Sequence, residues 1–563
     1  MRVVIIGGVA GGATAAARLR RLDESAEIIV LERGNYVSYA NCGLPYYVGG
    51  EITDRRRLTL QSREGFWSRY RIDVRLNSEA VAIDPARRSV TVREGGDTYE
   101  LDYDKLLLSP GARTVMPPIP GIDGEHLYTL RTVDDALALR DVVERRRPRE
   151  AVVVGGGFIG LEAAENLANA GVHVTLIERL NQVMTPLDYD MACSVHTYLR
   201  DKGVTLLLGR GVERFEQTPD GVLVHCDGAQ VPAELAVLAM GVSPESALAQ
   251  QAGLALGMRG AIAVDEFLRT SDPDIYAVGD AVEITHFVSG QKTTVPLAGP
   301  ANRQGRIAAD NILGRRVPYH GAQGTSILKL FDLTVAATGL NETAARQAGL
   351  AFDKVVTFSP SHATYYPGAS NMTVKTLFER ESGRILGAQI VGFDGVDKRI
   401  DVLATAIRAG MTGEELTELD LAYAPPYSSA KDPVNMAGYV IENVRDGTVR
   451  QFHWDEVEKL PRGSVTLLDV RSAREFAGGH IEGAVNIPLD ELRDRLAELD
   501  AAKPVYVNCH SGLRSYIACR ILTQRGFACF NLSGGYRFYE SVLCADRFNA
   551  DPAHSCGVKI EEK

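Results

Sequence analysis

The sequence predicts an α/β protein built from two Rossmann-like units, a separate α+β domain and a small C-terminal α/β domain. Two segments, one starting at residue 1 and one near residue 151, each run from an apolar strand through a glycine turn and an Ala-rich helix to a strand ending in Glu. Residues 326–447 mix strands and helices with aromatic turns. Beyond about residue 448, strands and helices alternate over roughly a hundred residues, which suits one small α/β domain.

Length and composition exclude several classes of protein. At 563 residues the chain exceeds one hydrophobic core, so we expect three or four domains. A formal net charge of -11 argues against a nucleic-acid partner, which needs a basic face. No run of about 18 apolar residues occurs, and Met1 leads directly into a strand pattern, so we expect a cytoplasmic protein without membrane insertion. The eight cysteines form no Cys-x-x-Cys pair, which speaks against zinc and a secreted disulfide framework, and no metal is expected.

The order of the patterns indicates that one domain is inserted into another. The strand pattern DPDIYAVGDA at 272–281 and the helix pattern after it look like a return to the first domain. We therefore predict a discontinuous first domain at 1–112 and 246–325, with the second at 113–245. A third domain is predicted at 326–447, a fourth at 460–550 and a loose tail at 551–563.

The second glycine loop carries the full G-x-G-x-x-G pattern between a strand and a helix, in residues Gly155, Gly157, Phe158, Ile159 and Gly160. Such a turn lets the backbone approach a pyrophosphate, which then lies at the positive end of the helix. Glu178 has the spacing to bind a ribose 2′-hydroxyl and favours NADH by repelling a 2′-phosphate. The adjacent Arg179 leaves NADPH open as the alternative.

The first glycine loop departs from the pattern, because Val9 replaces the middle glycine. Its candidate cofactor-binding residues are Gly7, Gly8, Val9, Ala10, Gly11 and Gly12, with Glu32 and Arg33 at the end of the next strand. Two nucleotide domains need two nucleotides, most simply a flavin dinucleotide (FAD) and a nicotinamide dinucleotide.

Two later segments fit the flavin. Asp280, directly after Gly279, is placed to hydrogen-bond ribityl hydroxyls. Pro296, Leu297 and Ala298 open a helix whose N-terminus favours the negative charge of a reduced flavin.

Cys42, in Asn41-Cys42-Gly43, has no second cysteine nearby. A flavin disulfide reductase with a redox pair carries its two cysteines a short step apart, so here the other half of any disulfide must come from a small molecule. The predicted substrate is a thiol compound.

Motifs along nearly the whole chain resemble one family, namely GGVAGG, SYANCGLPYY, GGGFIGLE, YAVGDA, HATYYPGA, YAPPYSSAKD and CHSGLR. They resemble the pyridine nucleotide-disulfide oxidoreductases, in particular the coenzyme A-disulfide reductases and the coenzyme A persulfide and polysulfide reductases fused to a rhodanese domain. The resemblance implies FAD-binding, NAD(P)H-binding, dimerisation and rhodanese domains, in that order. It also implies that Cys42 faces the flavin and alternates between a thiolate and a mixed disulfide or persulfide with coenzyme A.

The resemblance further implies a homodimer, in which Tyr365 and Tyr423 of one protomer reach Cys42 of its partner and stabilise a departing coenzyme A thiolate. Thr14, Arg18 and Arg21 share a face of the first predicted helix, at i, i+4 and i+7, and that face suits coenzyme A phosphates. Further matches to a coenzyme A site are Ser38, Asn41, Asn302, Arg306 and Lys431. Near Tyr70 the chain lacks the lysine of some relatives.

Cys509 begins a loop between an apolar strand and a helix pattern, continued by His510, Ser511, Gly512, Leu513, Arg514 and Ser515. Backbone N–H groups of such a loop, the helix N-terminus and Arg514 are expected to lower a thiol pKa and stabilise a persulfide. With LLDVR and EFAGGHIEGAVNIP, the loop resembles rhodanese sulfurtransferases. His510 replaces the Arg of many thiosulfate-using relatives, so the sulfur donor stays open.

We therefore expect a flavin-dependent reductase that uses NAD(P)H to reduce coenzyme A persulfide, polysulfide or coenzyme A disulfide through Cys42, with Cys509 carrying sulfane sulfur. One alternative is an NADH oxidase or peroxidase with a cysteine sulfenic acid, which predicts a histidine in the first glycine loop where this chain has Ala10. A second alternative is a sulfur-responsive scaffold whose rhodanese domain docks a partner, against which the intact Cys509 loop argues.

Overall fold

The computed structural model describes residues 1–547, which form two compact units. The first unit contains residues 1–183 and 203–324, and the second contains residues 184–202 and 325–547. The segment 184–202, part of the predicted second domain, thus groups with the second unit. The predicted domain boundaries stay a prediction, and the predicted tail at 551–563 and residues 548–550 lie outside the described residues.

The first glycine loop opens a sheet of five parallel strands, in the spatial order Ile275–Ala277, Lys105–Leu108, Arg2–Ile6, Glu27–Glu32 and Asp73–Leu76. Consecutive apolar residues fill its central strands, as expected of strands covered on both faces. The late strand Ile275–Ala277 pairs in parallel with Lys105–Leu108, so the chain adds a strand to this sheet long after its first strands.

The second glycine loop opens another five-stranded parallel sheet, in the order Thr205–Leu208, His173–Glu178, Glu150–Val154, Leu235–Leu238 and Leu127–Tyr128. In both sheets the strand that precedes the glycine loop is central, and the strand that ends in Glu lies beside it. The two acids therefore reach the carboxyl edge next to the loops, where α/β proteins bind ligands.

Smaller sheets and helices complete the first unit. The smaller sheets contain Ser78–Asp84, Ser89–Glu94 and Asp97–Asp102; Val212–Thr218, Gly221–Cys226 and Ala229–Ala233; Ala112–Thr114 and Val242–Pro244; and Ile262–Ala263, Val282–Thr285 and Lys292–Thr293. The α-helices are Ala10–Leu22, Leu44–Val48, Arg63–Tyr70, Val133–Arg146, Phe158–Asn169, Ala247–Gln251 and Ala298–Ile312. Short 3-10 turns are Asn41–Gly43, Arg55–Leu58, Met258–Gly260 and Gly279–Ala281.

The second unit begins with an antiparallel sheet, in the order Ser326–Leu330, Leu333–Gly339, Ile385–Gly392, Asn371–Glu379 and Phe352–Pro360. Its helices are Tyr189–Asp201, Glu342–Gln347, Val396–Ala409 and Pro433–Arg445. Every residue of Ile385–Gly392 is buried, so this central strand is covered on both faces. The predicted α+β texture is confirmed.

A buried ion cluster joins the segment 184–202 to this sheet. Lys375 is fully buried, and its Nζ lies 3.0 Å from Asp188, 2.7 Å from Asp190 and 2.7 Å from Glu342. The indole of Trp454 donates to Asp190 at 3.1 Å. One ammonium therefore bridges three carboxylates that would otherwise repel one another.

A third parallel sheet ends the described chain, in the order Gln451–Phe452, Cys529–Leu532, Val505–Asn508, Thr466–Asp469 and Val485–Asn486. Its helices are Ala473–Ala477, Leu513–Thr523 and Gly535–Arg547, with 3-10 turns Trp454–Lys459 and Leu496–Glu498. The central strand Val505–Asn508 delivers Cys509 to the carboxyl edge. Within residues 1–547, no helix combines the length and the apolar character needed to traverse a bilayer.

Candidate active site

The two glycine loops share one backbone geometry. Gly7 and Gly155 have φ angles of 97° and 112°, a conformation that favours glycine. A Cβ on Gly12 or on Gly160 would lie 1.9 Å from the carbonyl oxygen of the first glycine of its own loop. The first and last glycines are therefore required by the turn itself.

The middle position of the second loop faces free space. A Cβ on Gly157 would meet no atom within 4 Å, and Val9 occupies the equivalent place in the first loop. Both residues cap a helix whose first turn receives no side-chain hydrogen bond. The N–H groups of both helices are thus available to a pyrophosphate.

Glu32 and Glu178 take equivalent places beside these loops. The carboxylate of Glu32 accepts backbone hydrogen bonds of 3.0 Å from Gly8 and 3.0 Å from Gly34. The carboxylate of Glu178 accepts a 2.7 Å bond from its own glycine loop and a 2.8 Å bond from the residue two positions later. Each loop therefore presents backbone N–H groups that can bind phosphate next to a fixed carboxylate, and this combination fits a dinucleotide.

Cys42 lies in the 3-10 turn Asn41–Gly43 and is the one exposed cysteine among those the structure describes. The next helix, Leu44–Val48, packs against Phe158–Asn169 of the second glycine unit. Surrounding protein atoms raise the pKa of the Cys42 thiol by desolvation, although its open side remains accessible to solvent. The nearby carboxylates of Glu162 and Asp280 raise this pKa further.

Asp280 is paired with Arg131, whose Nη2 lies 2.8 Å from the carboxylate. Arg131 also donates to the carbonyl oxygen of Ala112 at 3.2 Å, and its charge lowers the pKa of the Cys42 thiol. Sequence reasoning missed Arg131 because no motif surrounds it. The backbone N–H of Gly279 donates to the buried side chain of Gln304 at 2.7 Å, which fixes the turn that carries Asp280.

Glu162 is a second residue that sequence reasoning missed, although it ends the motif GGGFIGLE. Burial and the charge of Glu165 raise the pKa of Glu162 to about 7, although a hydrogen bond from Tyr46 acts in the opposite direction and lowers it. Burial and Glu162 in turn raise the pKa of Tyr46. An acid inside an apolar helix pattern was the available signal. Glu162 therefore changes its charge near neutral pH, and it lies near the exposed thiol of Cys42.

Part of the predicted coenzyme A face comes together between the helices Ala10–Leu22 and Ala298–Ile312. Their backbones approach closely, since a Cβ on Gly305 would lie 2.3 Å from the carbonyl oxygen of Gly11. The hydroxyl of Thr14 donates to the side chain of Asn302 at 2.5 Å. These two predicted residues thus lie together at the helix pair.

The remaining predicted coenzyme A residues differ in their availability. Arg18 is engaged by Asp310 at 2.9 Å, whereas Arg21 and Arg306 are exposed. Ser38 is half-buried with a positive φ of 48°, and its N–H donates to the first glycine loop at 2.8 Å. Lys431 is exposed in the second unit, and the coenzyme A site as a whole stays a prediction.

Tyr365 and Tyr423 form a pair in the second unit, with their hydroxyl oxygens 2.8 Å apart. They are 74% and 47% exposed. This hydrogen bond raises the pKa of Tyr365. Two phenols from distant parts of the sequence thus stand side by side facing solvent.

Arg399, which sequence reasoning missed, joins the two turns that carry these tyrosines. The guanidinium is buried, lies 3.0 Å from the carboxylate of Asp432, and donates to the carbonyl oxygen of Ser361 at 2.9 Å and to the hydroxyl of Ser428 at 3.0 Å. The backbone N–H of Ala363 completes the link by donating to the carbonyl oxygen of Ser428 at 3.0 Å. The tyrosine pair is therefore held by a buried ion pair.

The Cys509 loop points its own donors at the sulfur. The backbone N–H of Gly512 lies 3.1 Å and the hydroxyl of Ser515 lies 3.2 Å from Sγ. Cys509 is 1% exposed, at the floor of the loop. Arg514 is bound by the carboxylate of Glu475 at 2.8 and 2.6 Å, and this pairing holds the pKa of Glu475 well below its usual range. The arrangement suits a thiolate or persulfide.

Comparison with known proteins assigns this chain to a family. Residues 1–305 match the family described as pyridine nucleotide-disulphide oxidoreductase, residues 325–433 match the dimerisation domain of the same name, and residues 454–541 match the rhodanese-like domain. The chain belongs to the pyridine nucleotide-disulphide oxidoreductase family. The family resemblance, the α/β fold and the enzyme class expected from the sequence are thereby confirmed.

Relatives of this oxidoreductase share most of its length. The coenzyme A disulfide reductase of Staphylococcus haemolyticus is 35% identical over 441 residues, covering 78% of this chain and 98% of the relative. The crystal structure of reduced CoADR-RHD from Bacillus anthracis superimposes with a TM-score of 0.95 at 48% identity, covering 96% of this chain and 98% of that one. An NAD-dependent persulfide reductase from A. fulgidus gives 0.90 at 44% identity, covering 96% and 100%.

In this oxidoreductase, Glu178→Ala is expected to lower kcat/KM for NADH about ten- to a hundredfold, because hydrogen bonds to a charged group are worth about 1.5–3 kcal/mol. The value for NADPH should rise, since the 2′-phosphate is no longer repelled and the neighbouring Arg179 is exposed. Steady-state rates with saturating ferricyanide as the common electron acceptor measure both values. An unchanged NADH-to-NADPH ratio would contradict the role of Glu178, and flavin content serves as the control for folding.

Glu162→Gln is expected to lower the pKa of the Cys42 thiol, because the variant removes a negative charge that disfavours the thiolate. The rate of Cys42 alkylation by iodoacetamide, followed by mass spectrometry across pH 5–10, should therefore reach its midpoint at lower pH. Glu125→Gln is a matched control, because Glu125 is exposed and remote in sequence from both residues. If the two variants give the same midpoint, Glu162 does not act on Cys42.

Proposed function

We propose that this oxidoreductase uses NAD(P)H and FAD to reduce coenzyme A persulfide, polysulfide or coenzyme A disulfide through Cys42, with Cys509 as a carrier of sulfane sulfur. The observation that carries the proposal is the exposed, unpaired thiol of Cys42 in a chain that also holds a rhodanese-type cysteine loop. The relatives named coenzyme A disulfide reductase and NAD-dependent persulfide reductase support this substrate class.

The residues present fit two dinucleotides. We assign FAD to the first glycine loop with Glu32, and NAD(P)H to the second loop with Glu178, because each site pairs free helix N–H groups with an anchored carboxylate. When bound, the flavin supplies the two electrons that reduce a sulfur–sulfur bond. Asp280, held by Arg131, contributes a fixed carboxylate near Cys42.

Cys42 acts as the nucleophile. Its thiolate attacks the coenzyme A sulfur of the persulfide, forming a Cys42–S–S–coenzyme A bond while hydrosulfide leaves; with coenzyme A disulfide, a coenzyme A thiolate leaves instead. Two electrons and one proton then return the Cys42 thiolate and release the coenzyme A thiol. The raised pKa of Cys42 means that the thiol needs a proton acceptor at neutral pH, and Glu162, with a pKa of about 7, is the nearby group that titrates in this range.

The tyrosine pair supplies protons in a homodimer. The chain contains the dimerisation domain of its family, and Tyr365 and Tyr423 are exposed and share one hydrogen bond. We propose that the pair from one protomer meets Cys42 of its partner and donates a hydrogen bond to the departing thiolate. The buried Arg399–Asp432 ion pair holds the two phenols in position for this contact.

The proposed function is tested by NADH consumption with coenzyme A persulfide, coenzyme A disulfide or hydrogen peroxide as acceptor under anaerobic conditions, and with oxygen as acceptor in a separate aerobic assay. We expect turnover with the coenzyme A compounds and release of sulfide from the persulfide alone. Faster turnover with hydrogen peroxide or oxygen would instead favour the oxidase or peroxidase alternative. If the protein bound a partner protein but transferred no sulfur, the scaffold alternative would be favoured.

A further inference from the structure

The Cys509 loop is supported from behind by the helix Gly535–Arg547. The backbone N–H groups of Tyr536 and Arg537 donate to the carbonyl oxygens of Cys509 at 2.7 Å and His510 at 2.9 Å. Gly535 makes this approach possible, because a Cβ there would lie 2.7 Å from both carbonyl oxygens. The helix start therefore fixes the loop, and it places the side chain of Arg537 beside His510.

Two other arginines near this loop are neutralised within the protein. Arg514 is bound by both carboxylate oxygens of Glu475, and Arg471 is bound by Asp469 at 2.7 and 3.0 Å. Arginine forks held in this way have little charge left to offer a ligand. Neither residue is therefore suited to recognise an incoming anion.

Arg537 differs from both. Among the described residues its guanidinium has no carboxylate partner, and it lies over the ring of Phe358 at 4.9 Å from the centroid. Burial lowers the pKa of Arg537. The pKa of His510 is lowered mainly by desolvation of its ring and further by the charge of Arg537. A partly buried cation is normally paired in a folded protein. Its stacking on an aromatic face leaves the N–H edge free, which is the edge that binds anions.

We propose that Arg537 is the anion-recognition residue of the Cys509 site, so that the site exchanges sulfane sulfur with a carrier that bears an anionic sulfonate or phosphate group. This inference rests on the proposed role of Cys509 as a sulfur carrier. It places anion recognition on Arg537 because the residue directly after the cysteine is His510 rather than a permanent cation.

The transfer step balances without an added oxidant. The Cys509 thiolate attacks the outer sulfur of thiosulfate, forming the Cys509 persulfide while sulfite leaves with both of its charges. With an organic persulfide the same attack releases the organic thiolate. The recognised anion is then either the sulfonate of a thiosulfate or a phosphate of coenzyme A, and both present oxygen atoms that a guanidinium binds in bidentate fashion.

The test measures the rate of Cys509 persulfidation in the full-length Cys42→Ser holoenzyme by mass spectrometry. The donors are thiosulfate, coenzyme A persulfide and pantetheine persulfide, of which the last shares the thiol arm of coenzyme A but lacks its phosphates. Arg537→Gln is expected to slow an anionic donor about ten- to a hundredfold and to leave pantetheine persulfide within about twofold. Arg537→Lys should recover part of the loss, because it restores the charge without the fork.

The sulfur donor whose rate falls in Arg537→Gln identifies the anion that Arg537 binds. A loss confined to thiosulfate supports sulfonate recognition, and a loss confined to coenzyme A persulfide supports phosphate recognition. Equal rates in Arg537→Gln and the parent for every donor, or an equal loss for all three donors, would overturn the proposal. Arg525→Gln is the control, because Arg525 is exposed in the same domain. If the parent itself accepts sulfur from no donor, the carrier role of Cys509 fails, which is a distinguishable result.

Discussion

Cys42→Ser is expected to reduce NADH-dependent turnover of coenzyme A persulfide and coenzyme A disulfide by at least about 10³-fold. A serine hydroxyl does not ionise near neutral pH and cannot form a bond that two electrons then cleave. Among the cysteines whose side chains the structure describes, at positions 42, 193, 226, 509, 519 and 529, Cys42 alone is exposed, so none of the other five can replace it without a change in structure. Steady-state NADH oxidation under anaerobic conditions measures the loss.

Cys509→Ser provides the matched control for this loss. It removes the other proposed sulfur site and should leave reduction of coenzyme A disulfide unchanged, since that reaction needs no sulfane carrier. Mass spectrometry of the parent during turnover should find coenzyme A attached to Cys42. A serine variant that works at the parental rate, with the same flavin content, would rule out Cys42 as the nucleophile.

Lys375→Met is expected to destabilise the second unit by about 3–5 kcal/mol at pH 7, because it leaves the buried carboxylates of Asp188, Asp190 and Glu342 without their shared cation. The chain has two tryptophans, and Trp454 is bonded to Asp190 in this cluster. In a Trp67→Phe background, the fluorescence of Trp454 therefore reports urea unfolding at the site itself. The urea unfolding midpoint of Trp67→Phe is compared with that of the double variant that also carries Lys375→Met.

The same variant has a defined pH signature. Burial raises the pKa of Glu342, but Lys375 and Lys354 outweigh it and hold this pKa at about 2. A depressed carboxyl pKa stabilises the fold above the unfolded value of about 4.3 and loses this effect as the pH falls toward the folded value. The contribution of Glu342 to the stability of the parent should therefore be full at pH 7 and shrink below about pH 4.5, and Lys375→Met, which lacks one of the two cations that depress this pKa, should lose less stability over the same range.

Lys459→Met serves as the control for this experiment. Lys459 forms an exposed i,i+4 ion pair with Asp455, and such surface pairs contribute at most about 1 kcal/mol. If Lys375→Met changes the unfolding midpoint no more than this control, the buried cluster does not stabilise the unit.

The sequence alone predicted the features that are encoded in neighbouring residues. Each glycine loop with its acid could be identified because the turn, the helix and the following strand occupy one short segment with a fixed spacing. Cys42 and the Cys509 loop were likewise found where they stand, one in a 3-10 turn and one after a central strand. Period and glycine placement determine such units locally, before any distant contact forms.

Only the tertiary structure settled which residues meet across long separations. Arg131 pairs with Asp280 from 149 positions away, and Lys375 reaches Asp190 across 185 positions. Glu162 lies near Cys42 because two helices pack, and Arg537 lies beside His510 because Gly535 admits a close approach. A lone charged residue carries no pattern in the sequence. Its role depends on burial and on the partner that folding brings to it, and these are properties of the packed chain rather than of any segment.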